Sequence, residues 1–187
     1  CRDIGFLVIS GHGVDAALIE QTRSVSRAFF DLPLAEKQRV ARPAAHIARG
    51  YIGLDEESLA RSRDPAAYGS DLNESLMIGP VEEPPPTVAA MGAAHFAPNL
   101  WPEQPAGLRE TYSAYYLAMG RLAATVMRIF ALALKLPETF FDDKIDRPQA
   151  TLRLLRYPDA APGAVDAPGA GTHTDYGNVT LLATDGV

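Results

Sequence analysis

One long stretch restricts the architecture before any other feature does. From Arg109 to Leu136, the residues Tyr112, Tyr115, Tyr116, Met119, Leu122, Ala123, Val126, Met127, Phe130 and Leu134 recur at helical spacing, and Pro137 ends the run. A helix with so broad an apolar face must be covered by other elements of the same fold. Its methionine and aromatic stripe reads as core packing, not as a cofactor contact. The rest of the chain must therefore supply a partner layer, and with 187 residues, 47% of them hydrophobic, it can build one sizeable core. The 15 prolines and 15 glycines break the remainder into short elements, so the expected class is mixed α+β.

The short elements can be placed from local chemistry. Gly5-Phe6-Leu7-Val8-Ile9-Ser10 is an apolar, β-branched run closed by Gly11-His12-Gly13, which predicts a buried strand entering a turn. Asp15 is placed to cap a helix whose positions Leu18, Ile19, Thr22, Val25 and Phe29 share a face, and Leu32-Pro33 stops it. A second, shorter helix is expected to follow, with Pro33 in its first turn and Glu36 near the positive end of its dipole. Residues 41–105 read as loops with short strands between them, including Asp71-Leu72-Asn73-Glu74 and Pro84-Pro85-Pro86. Thr151 to Tyr157 predicts a strand closed by Pro158, and Thr172 to Leu182 a further strand pair. The chain begins at Cys1, inside what reads as a strand, and stops at Val187 straight after an apolar one, so both ends read as cut.

Composition excludes some functions. A formal charge of −6, from 23 acidic against 17 basic side chains, argues against a nucleic-acid-binding surface. Cys1 is the only cysteine, which rules out an internal disulfide or a thiolate metal cluster and points to a reducing cytoplasm. No signal-peptide pattern and no uninterrupted apolar stretch of bilayer length stand out, so no membrane partner is expected.

The chemistry concentrates in Thr172-His173-Thr174-Asp175-Tyr176-Gly177. On a strand, residues two apart face the same side with Cα atoms about 6.5 to 7 Å apart, so His173 and Asp175 can close on one ion while Thr174 points away. An imidazole nitrogen with a carboxylate oxygen suits Fe(II) when a second histidine completes a face with open coordination positions. A His-x-Asp triplet alone is a weak signal, since many such triplets are solvated turns.

Context strengthens it. Gly5 to Val14, Asp31-Leu32-Pro33-Leu34-Ala35-Glu36-Lys37, Asn99-Leu100-Trp101-Pro102, and Leu152 to Pro158 followed by Gly169 to Gly177 occur in that order. Together they resemble the isopenicillin-N-synthase-like branch of the 2-oxoglutarate/Fe(II)-dependent dioxygenases. The resemblance implies a double-stranded β-helix, or jelly roll, incomplete at its C-terminal end. An N-terminal non-haem dioxygenase region, residues 1–105, would precede the long helix and first barrel strands in residues 106–187. It implies that His173 and Asp175 are two of three iron ligands. The family's third ligand is a later histidine, and its 2-oxoglutarate is anchored by an Arg-x-Ser pair further on; neither is found in this sequence.

The resemblance also implies that the Tyr157 hydroxyl can bond cosubstrate or substrate, and that Thr180 and Leu182 line the pocket; the residues alone read equally as strand positions. Arg153 shares the Tyr157 face by parity, so it either reaches the same cavity or faces solvent at the barrel edge, with solvent the favoured of the two. Asn73-Glu74 matches a polar pair in the family and reads as solvated or capping. His12 reads as a turn imidazole bonded to backbone, and His46 and His95 as surface residues. The implied activity couples 2-oxoglutarate decarboxylation and dioxygen to hydroxylation, desaturation or ring closure of a small organic substrate. Alternatives are an Fe(II) oxidase without 2-oxoglutarate, a zinc hydrolase, or a binding or structural module. Taken by itself, a barrel stopped after its first strands exposes strand edges and is expected to hold iron weakly.

Overall fold

A computed structural model of the chain describes residues 5–54, 56, 71–82, 96–158, 173, 175 and 177–184. Helix α1 spans Ala16–Phe30. Asp15 Oδ1 accepts the Ala17 N–H at 2.9 Å, the capping bond expected from the sequence. Thr22 and Phe29 are buried on the face that the apolar spacing defines, with Phe30 beside them. Helix α2, Leu34–Gln38, follows at once. Pro33 stands one position earlier than expected, as its N-cap in extended conformation, where the missing N–H costs nothing.

Helix α3 runs over Leu108–Ala133 and packs along α1. Its expected face is largely the observed one: Tyr112, Tyr115, Val126 and Met127 are buried. Leu134 departs from it and lies exposed beyond the last turn. The helix ends four residues before Pro137, because Lys135 adopts a left-handed φ of 60°. The Leu136 N–H then bonds the Ala131 carbonyl and the Lys135 N–H the Leu132 carbonyl, both at 2.9 Å, closing the two-bond cap that usually recruits glycine. Its 26 residues, with a mean hydropathy of 1.4 over the most apolar window, would suffice in length and composition to cross a membrane. That is more than the sequence reading allowed for. Within the fold it packs on α1, its Tyr112 hydroxyl donating to Ser26 Oγ at 3.0 Å, which in turn donates to the Thr22 carbonyl.

Three short strands form an antiparallel sheet in the order β1 (Gly50–Ile52), β2 (Glu74–Ile78), β3 (Leu152–Arg156). Register pairs Tyr51 with Leu76 and Leu76 with Leu154, so these three side chains share the face turned to the helices. There they meet Phe29, Phe30, Leu108 and Tyr112 in one cluster, with Leu152 and Trp101 packed at its margin. Beyond β1, the Tyr51 N–H and carbonyl bond the Val40 carbonyl and Arg42 N–H, adding a parallel edge. The contact is close: at Gly50, with φ of 96°, a Cβ would stand 2.5 Å from the Val40 carbonyl, so only glycine fits.

Among the described residues, two expected strands do not form. Residues 5–10 have no strand conformation, and Phe6 and Val8 are exposed. Described residues 177–184 are likewise without strand structure. In neither place does a described strand lie alongside to accept the backbone hydrogen bonds, and β propensity without a partner does not make a strand.

Candidate iron and cosubstrate site

The structure brings His173 and Asp175 together. His173 Nε2 lies 3.2 Å from Asp175 Oδ1, and both side chains reach the surface. The described backbone there is not a strand, so the face-sharing expected from strand alternation is replaced by direct side-chain approach; Thr174 lies outside the described residues. The spacing suits a shared ion. Two ligand atoms about 2.1 Å from a metal and at right angles to each other stand roughly 3 Å apart. Nitrogen plus carboxylate oxygen is also the donor chemistry that Fe(II) accepts. Among the described residues, no third histidine, cysteine, aspartate or glutamate joins them.

Tyr157 sits one residue past the end of β3 and is half exposed. Alternation puts it on the same side of the sheet as Arg153 and Leu155, away from the helices. Arg153 is half buried there and has interactions of its own. Thr180 and Leu182 are both exposed. Their segment is held near α1 by Arg23, whose Nη2 donates to the Thr184 carbonyl. Tyr157, Thr180 and Leu182 make no side-chain hydrogen bond to the His173–Asp175 pair among the described residues. His12 accepts the Val14 N–H on Nδ1 at 3.1 Å, as a backbone-bonded turn imidazole should, and His46 is exposed. His95 and the Pro84-Pro85-Pro86 run lie outside the described residues.

The largest departure from the sequence reading is Asn73-Glu74. Far from solvated, both residues are buried, and Glu74 is the centre of an ionic cluster. Its Oε2 accepts Lys37 Nζ at 2.7 Å and the Tyr51 hydroxyl at 2.5 Å, while Arg156 Nη1 approaches Oε1 at 3.5 Å. Lys37 also donates to the Phe30 carbonyl at 2.9 Å, and Arg156 to the same carbonyl at 2.8 Å. A carboxylate so far from water is tolerable because each oxygen faces a cation and the last carbonyl of α1 is satisfied twice. Burial, and then the bond to Glu74, push the Tyr51 hydroxyl well above the usual tyrosine range, so it stays a donor. Lysine at 37 and glutamate at 74 carry no local sign that they meet, so spacing alone could not have found the cluster.

A second buried cation, Arg49, lies against Gly79, where a Cβ would stand 1.9 Å from the guanidinium carbon. Glycine is what allows the side chain to lie there. Burial lowers the Arg49 pKa.

Comparison with known proteins places this geometry in context. Residues 1–104 match the family described as non-haem dioxygenase in morphine synthesis, N-terminal. The whole chain is 34% identical to a 2-oxoglutarate-Fe(II) type oxidoreductase of Aspergillus fumigatus, covering 55% of that protein. Over 96% of its length it is 32% identical to validamycin A dioxygenase of Streptomyces hygroscopicus subsp. limoneus, covering 49% of it. Among solved structures, a full-length Neurospora crassa protein in complex with alpha-KG superposes on 88% of the chain with a TM-score of 0.69 and 29% identity, over 50% of its own length. The chain thus spans about half the length of the curated relatives it matches.

Proposed function

Because this chain belongs to the non-haem dioxygenase family, we propose that the polypeptide carrying it is a 2-oxoglutarate/Fe(II)-dependent oxygenase acting on a small organic molecule. The observation that carries the reading is the 3.2 Å approach of His173 Nε2 to Asp175 Oδ1 in a chain of this family. In this reading the two side chains hold ferrous iron, with a further ligand from outside the described residues. The iron, when bound, supplies the activation of dioxygen that couples 2-oxoglutarate decarboxylation to substrate oxidation. The chain's own residues bind and orient. The Tyr157 hydroxyl, which has no hydrogen bond of its own among the described residues, donates to 2-oxoglutarate, and Thr180 and Leu182 line the substrate side. The sheet of β1 to β3 forms part of a jelly roll, with α1 and α3 covering its outer face. Hydroxylation, desaturation and ring closure are all open to such a site.

The test is dioxygen-dependent succinate formation from 2-oxoglutarate by the longest natural polypeptide that contains this chain. Asp175→Ala removes a proposed ligand from an exposed position, so the fold should survive while turnover falls by roughly a hundredfold or more. Undiminished succinate formation in that variant would sink the assignment.

A further inference from the structure

The apolar pattern of β3 does not decide which way the strand faces. In Leu152-Arg153-Leu154-Leu155-Arg156-Tyr157, one face offers Leu152, Leu154 and Arg156 and the other offers Arg153, Leu155 and Tyr157. Each face presents one arginine and at least two large hydrophobic groups. A slip of one residue would exchange the two faces completely, carrying Tyr157 to the helix side and Arg156 to the opposite one. The graded burial of the strand, half-buried through Leu154 and exposed from Leu155 on, gives little further preference.

What distinguishes the two registers is ionic. Glu74 and Arg156 are direct cross-strand partners on the helix side. The Arg156 guanidinium there meets three acceptors at once: the Phe30 carbonyl at 2.8 Å, Asp31 Oδ1 at 3.3 Å and Glu74 Oε1 at 3.5 Å. Glu74 in turn is fixed by Lys37 from α2 and Tyr51 from β1, so the pocket that receives Arg156 is built by four separate elements. In the slipped register Arg156 would leave that pocket, and Tyr157 would face a carboxylate with one cation fewer. The Arg156 side chain is 42% exposed while Glu74 is buried, so the pair adds little net stability, and the best-attested use of such a pair is to select one register over another.

We propose that Glu74 and Arg156 are positioning residues, an ionic register lock in which a half-exposed arginine reaches a buried carboxylate and so turns Tyr157 toward the cosubstrate. The inference rests on the oxygenase reading, in which Tyr157 donates to 2-oxoglutarate. Its logic is spatial: Tyr157 follows Arg156 directly, and its own side chain makes no hydrogen bond among the described residues that would orient it. The direction of its side chain is therefore inherited from the residue before it.

The test is equilibrium binding of 2-oxoglutarate to the anaerobic, Fe(II)-loaded polypeptide, followed by calorimetry, for Tyr157→Phe, Arg156→Leu and the double variant. Loss of one hydrogen bond should weaken binding by roughly three- to tenfold in Tyr157→Phe. Arg156→Leu should weaken it by a similar factor, and the double variant should be no worse than the more affected single one, because both remove the same contact. Arg156→Lys and Glu74→Gln, milder changes that keep the strand soluble should Arg156→Leu fail to fold, should weaken binding by a smaller factor and only while Tyr157 is present. Multiplying effects in the double variant, or unchanged affinity in Arg156→Leu or in both milder variants, would overturn the lock and leave the oxygenase reading standing. So would unchanged affinity in Tyr157→Phe. No binding of 2-oxoglutarate by the unsubstituted protein would overturn both.

Discussion

Strands β1 to β3 and the segment 177–184 all carry large apolar side chains, yet only the first group forms a sheet. The strands of the sheet each find a neighbour and lay one face on α1 and α3, so backbone hydrogen bonds and apolar burial arrive together. In the second region, Leu182 is 75% exposed and the described backbone pairs with no strand. Residues 5–10 behave in the same way, with Val8 95% exposed. Pairing, not propensity, separates the two cases.

The contrast can be broken by substitution at its two ends. Tyr112→Ala in α3 removes a fully buried ring and the hydrogen bond to Ser26, so it should cost about 4 kcal/mol in denaturant unfolding. A loss below about 1 kcal/mol would mean that the helix-backed core is not the stable part. Alkaline titration sharpens the same point. Burial raises the Tyr51 and Tyr112 hydroxyls above their usual value of 10.0. With the folded value above the unfolded one, their stabilising contribution is complete below pH 10 and declines as the pH climbs past it, because the unfolded chain releases those protons first. The urea midpoint should therefore fall above about pH 10, and Tyr112→Phe should flatten the fall. An equal slope in that variant would remove Tyr112 from the account. Least affected should be Leu182→Ser, within about 0.5 kcal/mol of the unsubstituted chain, since an exposed side chain has little burial to lose. A larger loss would show that the segment is packed.

Much of the helix-backed region was legible beforehand because its signals are local. Asp15 caps the helix it was expected to cap, Tyr112, Tyr115 and Met127 of the expected α3 stripe are buried, and β3 lies within the expected Thr151 to Tyr157. The Glu74 cluster was not legible, because Lys37, Tyr51, Glu74 and Arg156 come from four elements and meet only after the sheet has formed. The strand at 5–10 and the described part of 172–182 were overread for the opposite reason: their residue types were right and their partners were assumed. At the candidate site, a histidine and an aspartate two residues apart are close by connectivity, and their approach was accessible from sequence. The family context that gives the pair its chemistry came from the ordered blocks around it, not from the triplet.

The central claim is that His173 and Asp175 hold one ferrous ion, and anaerobic iron titration of the longest natural polypeptide containing this chain tests it most directly. The account predicts one tightly bound Fe(II) per polypeptide in the unsubstituted protein, and affinity lower by roughly a hundredfold or more in both His173→Ala and Asp175→Ala. Iron bound equally well by either variant would contradict it.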